Sequence, residues 1–186
     1  MPFVSVTLIE GYDEDAKRRL CHALTGAVQR VVPADLDAIT SALNEVSPSG
    51  YMRGGAVRTP APGLPDGEAT VRQFLSHMEA RDLDAASAML GDDFSMTFPG
   101  NVAMTRLAEL VDWASSRYRA VRKTYERFDT ACSNRGLITY CYGTLSGEWL
   151  DGDRFDGIRF IDRFEIDGGK LIRQDVWNDM GEMRRV

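Results

Sequence analysis

No stretch of this sequence is apolar enough to span a bilayer, which excludes a helical membrane protein. Its opening, Met1-Pro2-Phe3-Val4-Ser5, lacks the charged segment and apolar core of a secretory signal. Cysteine is scarce. Cys21, Cys132 and Cys141 are odd in number and widely spaced, which fits neither a disulfide framework nor a zinc site. There is no basic excess either: the net charge is −6, with the two signs interspersed. A nucleic-acid binder would need a cationic face to displace phosphate counterions, and a polybasic membrane anchor would need a similar cluster. These absences predict a cytoplasmic protein with neither nucleic-acid nor membrane partners. The 44% of apolar residues and 27% of charged ones are ordinary for a folded chain, so disorder is not indicated.

The chain divides at Arg58–Gly67, where three prolines and two glycines interrupt any apolar period. The expected organisation is a unit over 1–57, a linker over 58–67 and a second unit over 68–186. In the first unit Val4, Val6 and Leu8 alternate as in a strand. Asp13, Glu14 and Asp15 then place acid at a helix start, where the helix dipole favours it. Ala16, Leu20, Leu24, Ala27, Val28 and Val31 recur at helical spacing up to Pro33. Ile39–Val46 returns as a second strand, parallel to the first. A β-α-β unit this short buries too little surface to be stable alone, so it is expected to form a homo-oligomer.

Beyond the linker, helical stripes at Val71/Phe74/Leu75/Met78, Leu83/Ala86/Leu90 and Leu107/Leu110/Val111/Ala114 precede three strands. These strands are Gly136–Leu150, Phe155–Ile166 and Lys170–Asn178, with Asp-Gly turns between them. Helices first and an antiparallel sheet last predict an α+β fold.

Two places carry chemistry. Once Met1 is removed, Pro2 is a secondary amine on a rigid ring. Apolar surroundings disfavour the charged form of such an amine and free it to act as a base or nucleophile. By position alone, the favoured reading of Pro2 is only a residue suited to the start of a strand. The other place is Asp162, which alternates with Ile158, Phe160, Phe164 and Ile166, with Asp156 on the same face. A carboxylate among apolar side chains is either paired, with Arg159, Arg163 or Arg173 within reach, or reserved for proton transfer. In the following strand Arg173, Asp175 and Trp177 share one face, and Ile172 and Val176 the other.

Pro2 through Gly55 resembles the 4-oxalocrotonate tautomerase family. The resemblance rests on Pro2, the strand Phe3–Ile9 leading to Glu10-Gly11, the acidic helix start, Leu43-Asn44-Glu45-Val46 and Gly54-Gly55. It implies a β-α-β subunit, stacked trimeric assembly and an amino-terminal proline as catalytic base. Family arginines that follow the Glu-Gly pair and lie in the second strand correspond here to Tyr12 and Thr40. With Tyr51 and Arg53, these are the expected substrate-binding positions. Glu68 onward resembles the SnoaL-like polyketide cyclases of the nuclear transport factor 2-like superfamily. That resemblance rests on Phe74–Met78, Asp82-Leu83-Asp84-Ala85-Ala86, Asp92-Asp93-Phe94, Phe98-Pro99-Gly100 and Gly169-Lys170-Leu171 with Val176-Trp177-Asn178-Asp179. It implies a cone-shaped α+β barrel whose curved sheet wraps a helix-lined pocket. Asp162 and Asp175 are the acid/base candidates there, Asp179 stands behind them, and Trp177 is expected to touch the substrate.

Together these readings predict a cofactor-independent isomerase, tautomerase or cyclase that moves a proton next to a carbonyl, in specialised metabolism, with no metal and a small-molecule carbonyl substrate. The alternative is a non-catalytic ligand-binding protein whose amino-terminal unit drives oligomerisation.

Overall fold

The computed structural model describes residues 1–183 and separates into two compact units, with the division between Leu64 and Pro65. No helix among the described residues is long and apolar enough to cross a membrane.

In the first unit β1 (Phe3–Ile9) pairs in parallel with β2 (Thr40–Val46), from Phe3 opposite Thr40 to Ile9 opposite Val46. Between them runs α1 (Glu14–Gln29), whose N-cap Asp13 accepts from the Ala16 amide at 2.7 Å. The helix ends four residues before Pro33, because the chain turns at Val31 and Val32, which both donate to the Val28 carbonyl. A small hairpin follows, β3 (Met52–Arg53) with β4 (Ala56–Val57), turning through Gly54 and Gly55 at positive φ. The unit has almost no interior of its own. Helix α1 contains no buried residue, and only Ile9 and Ile39 are buried apolar side chains. Phe3 and Val31 remain 65% and 83% exposed.

The second unit opens with α2 (Gly67–Glu79) and α3 (Leu83–Ala88), followed by β5 (Leu90–Phe98), β6 (Val102–Met104) and α4 (Leu107–Ser115). Long strands β7 (Tyr118–Ser133), β8 (Gly136–Trp149), β9 (Arg154–Asp167) and β10 (Lys170–Asn178) come next, and then a single turn, α5 (Met180–Met183). The sheet runs β6-β5-β10-β9-β8-β7, and every pair is antiparallel except β5 with β10. It is therefore a six-stranded sheet where the sequence pattern suggested three strands. The helices pack on its inner face: Phe74 of α2 meets Phe164 of β9 edge-on, with ring centres 6.0 Å apart.

Glycine sets the curvature. A Cβ at Gly143 would lie 1.9 Å from the Thr124 carbonyl oxygen, and one at Gly147 would lie 2.1 Å from that of Ala120. Two irregularities in β7, between Tyr118 and Ala120 and between Tyr125 and Arg127, add to the bend. A third, opposite Leu145 to Gly147, falls in β9 at Asp156-Gly157 and corrects one expectation. The extra residue resets the alternation, so Phe155 is buried and Asp156 is exposed.

Candidate functional site

The inner face of the second unit follows from strand register. Cys141 of β8, Asp162 of β9 and Val176 of β10 stand opposite one another, as do Thr139, Phe164 and Gln174. After the β7 irregularity, Tyr125 faces Gly143 and Lys123 faces Leu145. The fully buried Asp162 thus has Lys123, Tyr125, Cys141 and Gln174 on its own side of the sheet. Lys123 Nζ donates to Asp162 Oδ2, and Gln174 Nε2 donates to the same oxygen at 3.3 Å. The Lys123 ammonium also lies 4.6 Å from the centre of the Phe160 ring. Asp162 Oδ1 and Gln174 Oε1 are buried and have no hydrogen-bond partner among the described residues.

The expected pairing of Asp162 with Arg159, Arg163 or Arg173 is corrected by this arrangement. Arg163 points to the outer face, toward Glu165 and Asp175 at 2.7 and 3.2 Å, while Arg159 pairs with Asp179 at 2.7 Å. Asp162 is instead neutralised by a lysine from a strand the sequence pattern did not reveal.

Aromatic rings close the wall around the pair. The Tyr125 ring lies 5.3 Å from Phe128 and 5.9 Å from Phe160, and its hydroxyl donates to Glu79 Oε1 at 3.5 Å. Burial, reinforced by the Glu79 charge, pushes the Tyr125 phenol well above its usual range. Burial and the neighbouring Asp162 charge push the Cys141 thiol up to about 12. Both groups are therefore neutral near pH 7, where they contribute shape and not charge. A folded-state pKa above the unfolded value means that stability is intact below pH 9 and is lost as pH rises toward 12. Unfolding curves are expected to shift downward over that range, and to shift less in Cys141→Ala. An equal shift in the variant would assign the effect to other groups.

Asp175 lies on the opposite face of the sheet from Asp162, so the two do not share a pocket. Arg173 Nε donates to both Asp175 oxygens, at 3.1 and 2.9 Å, and Arg163 Nη1 donates to Oδ2. Asp175, Arg173 and the 53%-exposed Trp177 line an outer hollow of about 430 Å³ with the turn Pro99-Gly100-Asn101. Asp175 is held there by two guanidinium groups, and Trp177 lines the same hollow.

In the first unit the Thr40 amide donates to the Pro2 carbonyl at 3.0 Å, so Pro2 and Thr40 are neighbours at one end of the parallel pair. Tyr12 leaves the other end of β1. The six steps from Phe3 to Ile9 span about 20 Å at the usual strand rise. Tyr51 and Arg53 follow the same far end, that of β2. A single copy therefore brings together Pro2 and Thr40, and does not bring Tyr12 to them.

Lys123, Tyr125 and Gln174 were missed by sequence reasoning. Gln174 carried a usable signal, since it lies between Ile172 and Val176 in the alternation.

The second unit, with helices packed against one face of a curved six-stranded sheet, has the nuclear transport factor 2-like fold. An NTF2-like protein of unknown function from Burkholderia pseudomallei K96243 superimposes with a TM-score of 0.55 at 19% identity, over 63% of this chain and 94% of that one. A SnoaL-like polyketide cyclase candidate from Jannaschia sp. CCS1 gives 0.51 at 16% identity, over 68% and 94%. TerC, co-crystallised with polyporic acid, gives 0.52 at 12% identity, over 62% and 93%. Residues 2–59, in the first unit, match the family model described as Tautomerase enzyme. No curated protein matches the sequence.

Proposed function

We propose that this protein is an isomerase or cyclase that moves protons next to a carbonyl, using no cofactor, with Asp162 as the acid/base of the second unit and Pro2 as that of the first. The observation that carries the reading is the divided carboxylate of Asp162. One oxygen is held by Lys123 and Gln174, and the other is buried and free to take a proton. A base kept out of water beside a fixed cation suits enolate chemistry. The C–H proton passes to Oδ1, its bonding pair becomes the carbon–carbon double bond, and the carbonyl oxygen gains charge that the Lys123 ammonium offsets. Reprotonation at a different atom completes an isomerisation, and attack of the enolate carbon on a second carbonyl completes a ring closure.

For the first unit the support is the family match beginning at Pro2 and the position of Pro2 at the edge of the β1–β2 pair. Its base is competent only in a chain that begins at Pro2. Thr40 beside it, and Tyr12, Tyr51 and Arg53 from other copies, are the proposed substrate contacts. The scarcity of buried side chains around α1 supports assembly into a homo-oligomer. Native mass spectrometry is expected to show an oligomer of chains lacking Met1, and Pro2→Ala should lower phenylpyruvate tautomerisation at least tenfold. A monomer, a retained Met1 or an unchanged rate would remove the catalytic role of Pro2. The remaining reading would then be a first unit that binds or assembles without catalysis, which the Tyr12 and Thr40 replacements favour.

A further inference from the structure

The two unpartnered acceptors at the inner site point to a more specific ligand. Asp162 Oδ1 and Gln174 Oε1 are the buried side-chain polar atoms left without a hydrogen bond among the described residues. They belong to the two residues joined by the 3.3 Å amide–carboxylate contact. The amide is oriented by that contact: its N–H₂ must face the carboxylate oxygen, so its own oxygen is turned away and remains an acceptor. A buried acceptor with no donor is costly, and a pair of them is retained where a ligand supplies what is missing. Lys123 adds the opposite character. Its ammonium is a donor, and its side chain keeps 22% exposure while that of Asp162 has none.

We infer that the inner site takes an α-hydroxy carbonyl compound, whose enolised form carries two adjacent hydroxyl groups. The inference rests on the acid/base reading of Asp162 and adds a role for Gln174. In this arrangement the carbonyl oxygen faces the Lys123 ammonium and the α-hydrogen faces Asp162 Oδ1. The α-hydroxyl donates to Gln174 Oε1. Proton transfer to Oδ1 gives the enediolate, with the negative charge beside the ammonium and the hydroxyl bond to Gln174 unchanged. Gln174 is thus a specificity residue. It recognises a group that a simple ketone lacks, and an analogue without the hydroxyl leaves the amide oxygen unpaired.

Catechol, phenol and anisole present two, one and no hydroxyl donors on one planar ring, and their binding to the full chain is measurable by calorimetry or NMR titration. Catechol is expected to bind about tenfold more tightly than phenol, and phenol more tightly than anisole, as one hydrogen bond each would give. In Gln174→Met, of similar volume, the catechol advantage over phenol should fall to within about twofold while the phenol advantage over anisole persists. Equal binding of catechol and phenol to the wild type would overturn the α-hydroxy inference and leave the Asp162 reading standing. Retention of the catechol advantage in a folded Gln174→Met would overturn the role of Gln174. Failure of all three ligands to bind, or equal binding of all three, would remove both readings. The wild-type comparison decides the matter even where the variant does not fold.

Discussion

Replacing Lys123 by Met is expected to destabilise the second unit by about 3–5 kcal/mol, the usual cost of stripping the partner from a buried charge. That is a large share of the roughly 5–15 kcal/mol that holds a domain together. The reason is the setting of Asp162, which is fully buried, has Phe160 and Phe164 two residues away on the same strand face, and carries one oxygen without a hydrogen-bond partner among the described residues. With the ammonium gone, the carboxylate would have only the Gln174 amide. Urea unfolding followed by tryptophan fluorescence isolates the effect, because Trp113, Trp149 and Trp177 all belong to the second unit. Combining Lys123→Met with Asp162→Asn should restore most of the loss, since a neutral amide does not need the cation. A single variant within about 1 kcal/mol of wild type would mean that water or another cation already serves Asp162.

The second large effect concerns turnover. In a Pro2→Ala background, which silences the proposed base of the first unit, Asp162→Asn is expected to slow deuterium incorporation into hydroxyacetone by 10²–10⁴-fold, the range typical of losing a positioned general base. The amide keeps the shape and can still accept a bond from Lys123, but it cannot take up the proton. The loss should therefore appear in kcat and leave KM nearly unchanged. An unchanged exchange rate would leave Asp162 as a structural ion pair and nothing more.

Much of this architecture was readable from residue order alone, and the failures have a common physical origin. The β-α-β unit was legible because Phe3–Ile9 and Ile39–Val46 are regular and unbulged, so their period of two survives. Asp162 was legible for the same reason, since Ile158–Ile166 alternates without interruption. Strand β7 was not. Its inner face is Val121, Lys123, Tyr125 and then Phe128, a sequence broken by an irregularity after Tyr125 and charged at its centre. The alternation that would reveal a strand is lost at the point where the strand supplies the cation of the site. Asp156 was misplaced by one bulge in β9. Gln174 lies just beyond another, where β10 slips between Leu171 and Arg173. The fold and Asp162 were visible where the backbone is regular, and Lys123 and Gln174 lie beside its irregularities.

The contacts of Gly143 and Gly147 have a bearing on how any catalogue of tolerated substitutions in this protein should be interpreted. Neither residue has a side chain to offer a ligand, yet the space a single added carbon would need is already filled by the carbonyl oxygens of Thr124 and Ala120. A mutational scan scored on activity would rank both positions beside Asp162, because straightening β8 against β7 would carry Lys123 away from the carboxylate. The shape of the site is thus encoded partly by atoms the chain omits, and intolerance at a position is no guide to whether that position takes part in the chemistry.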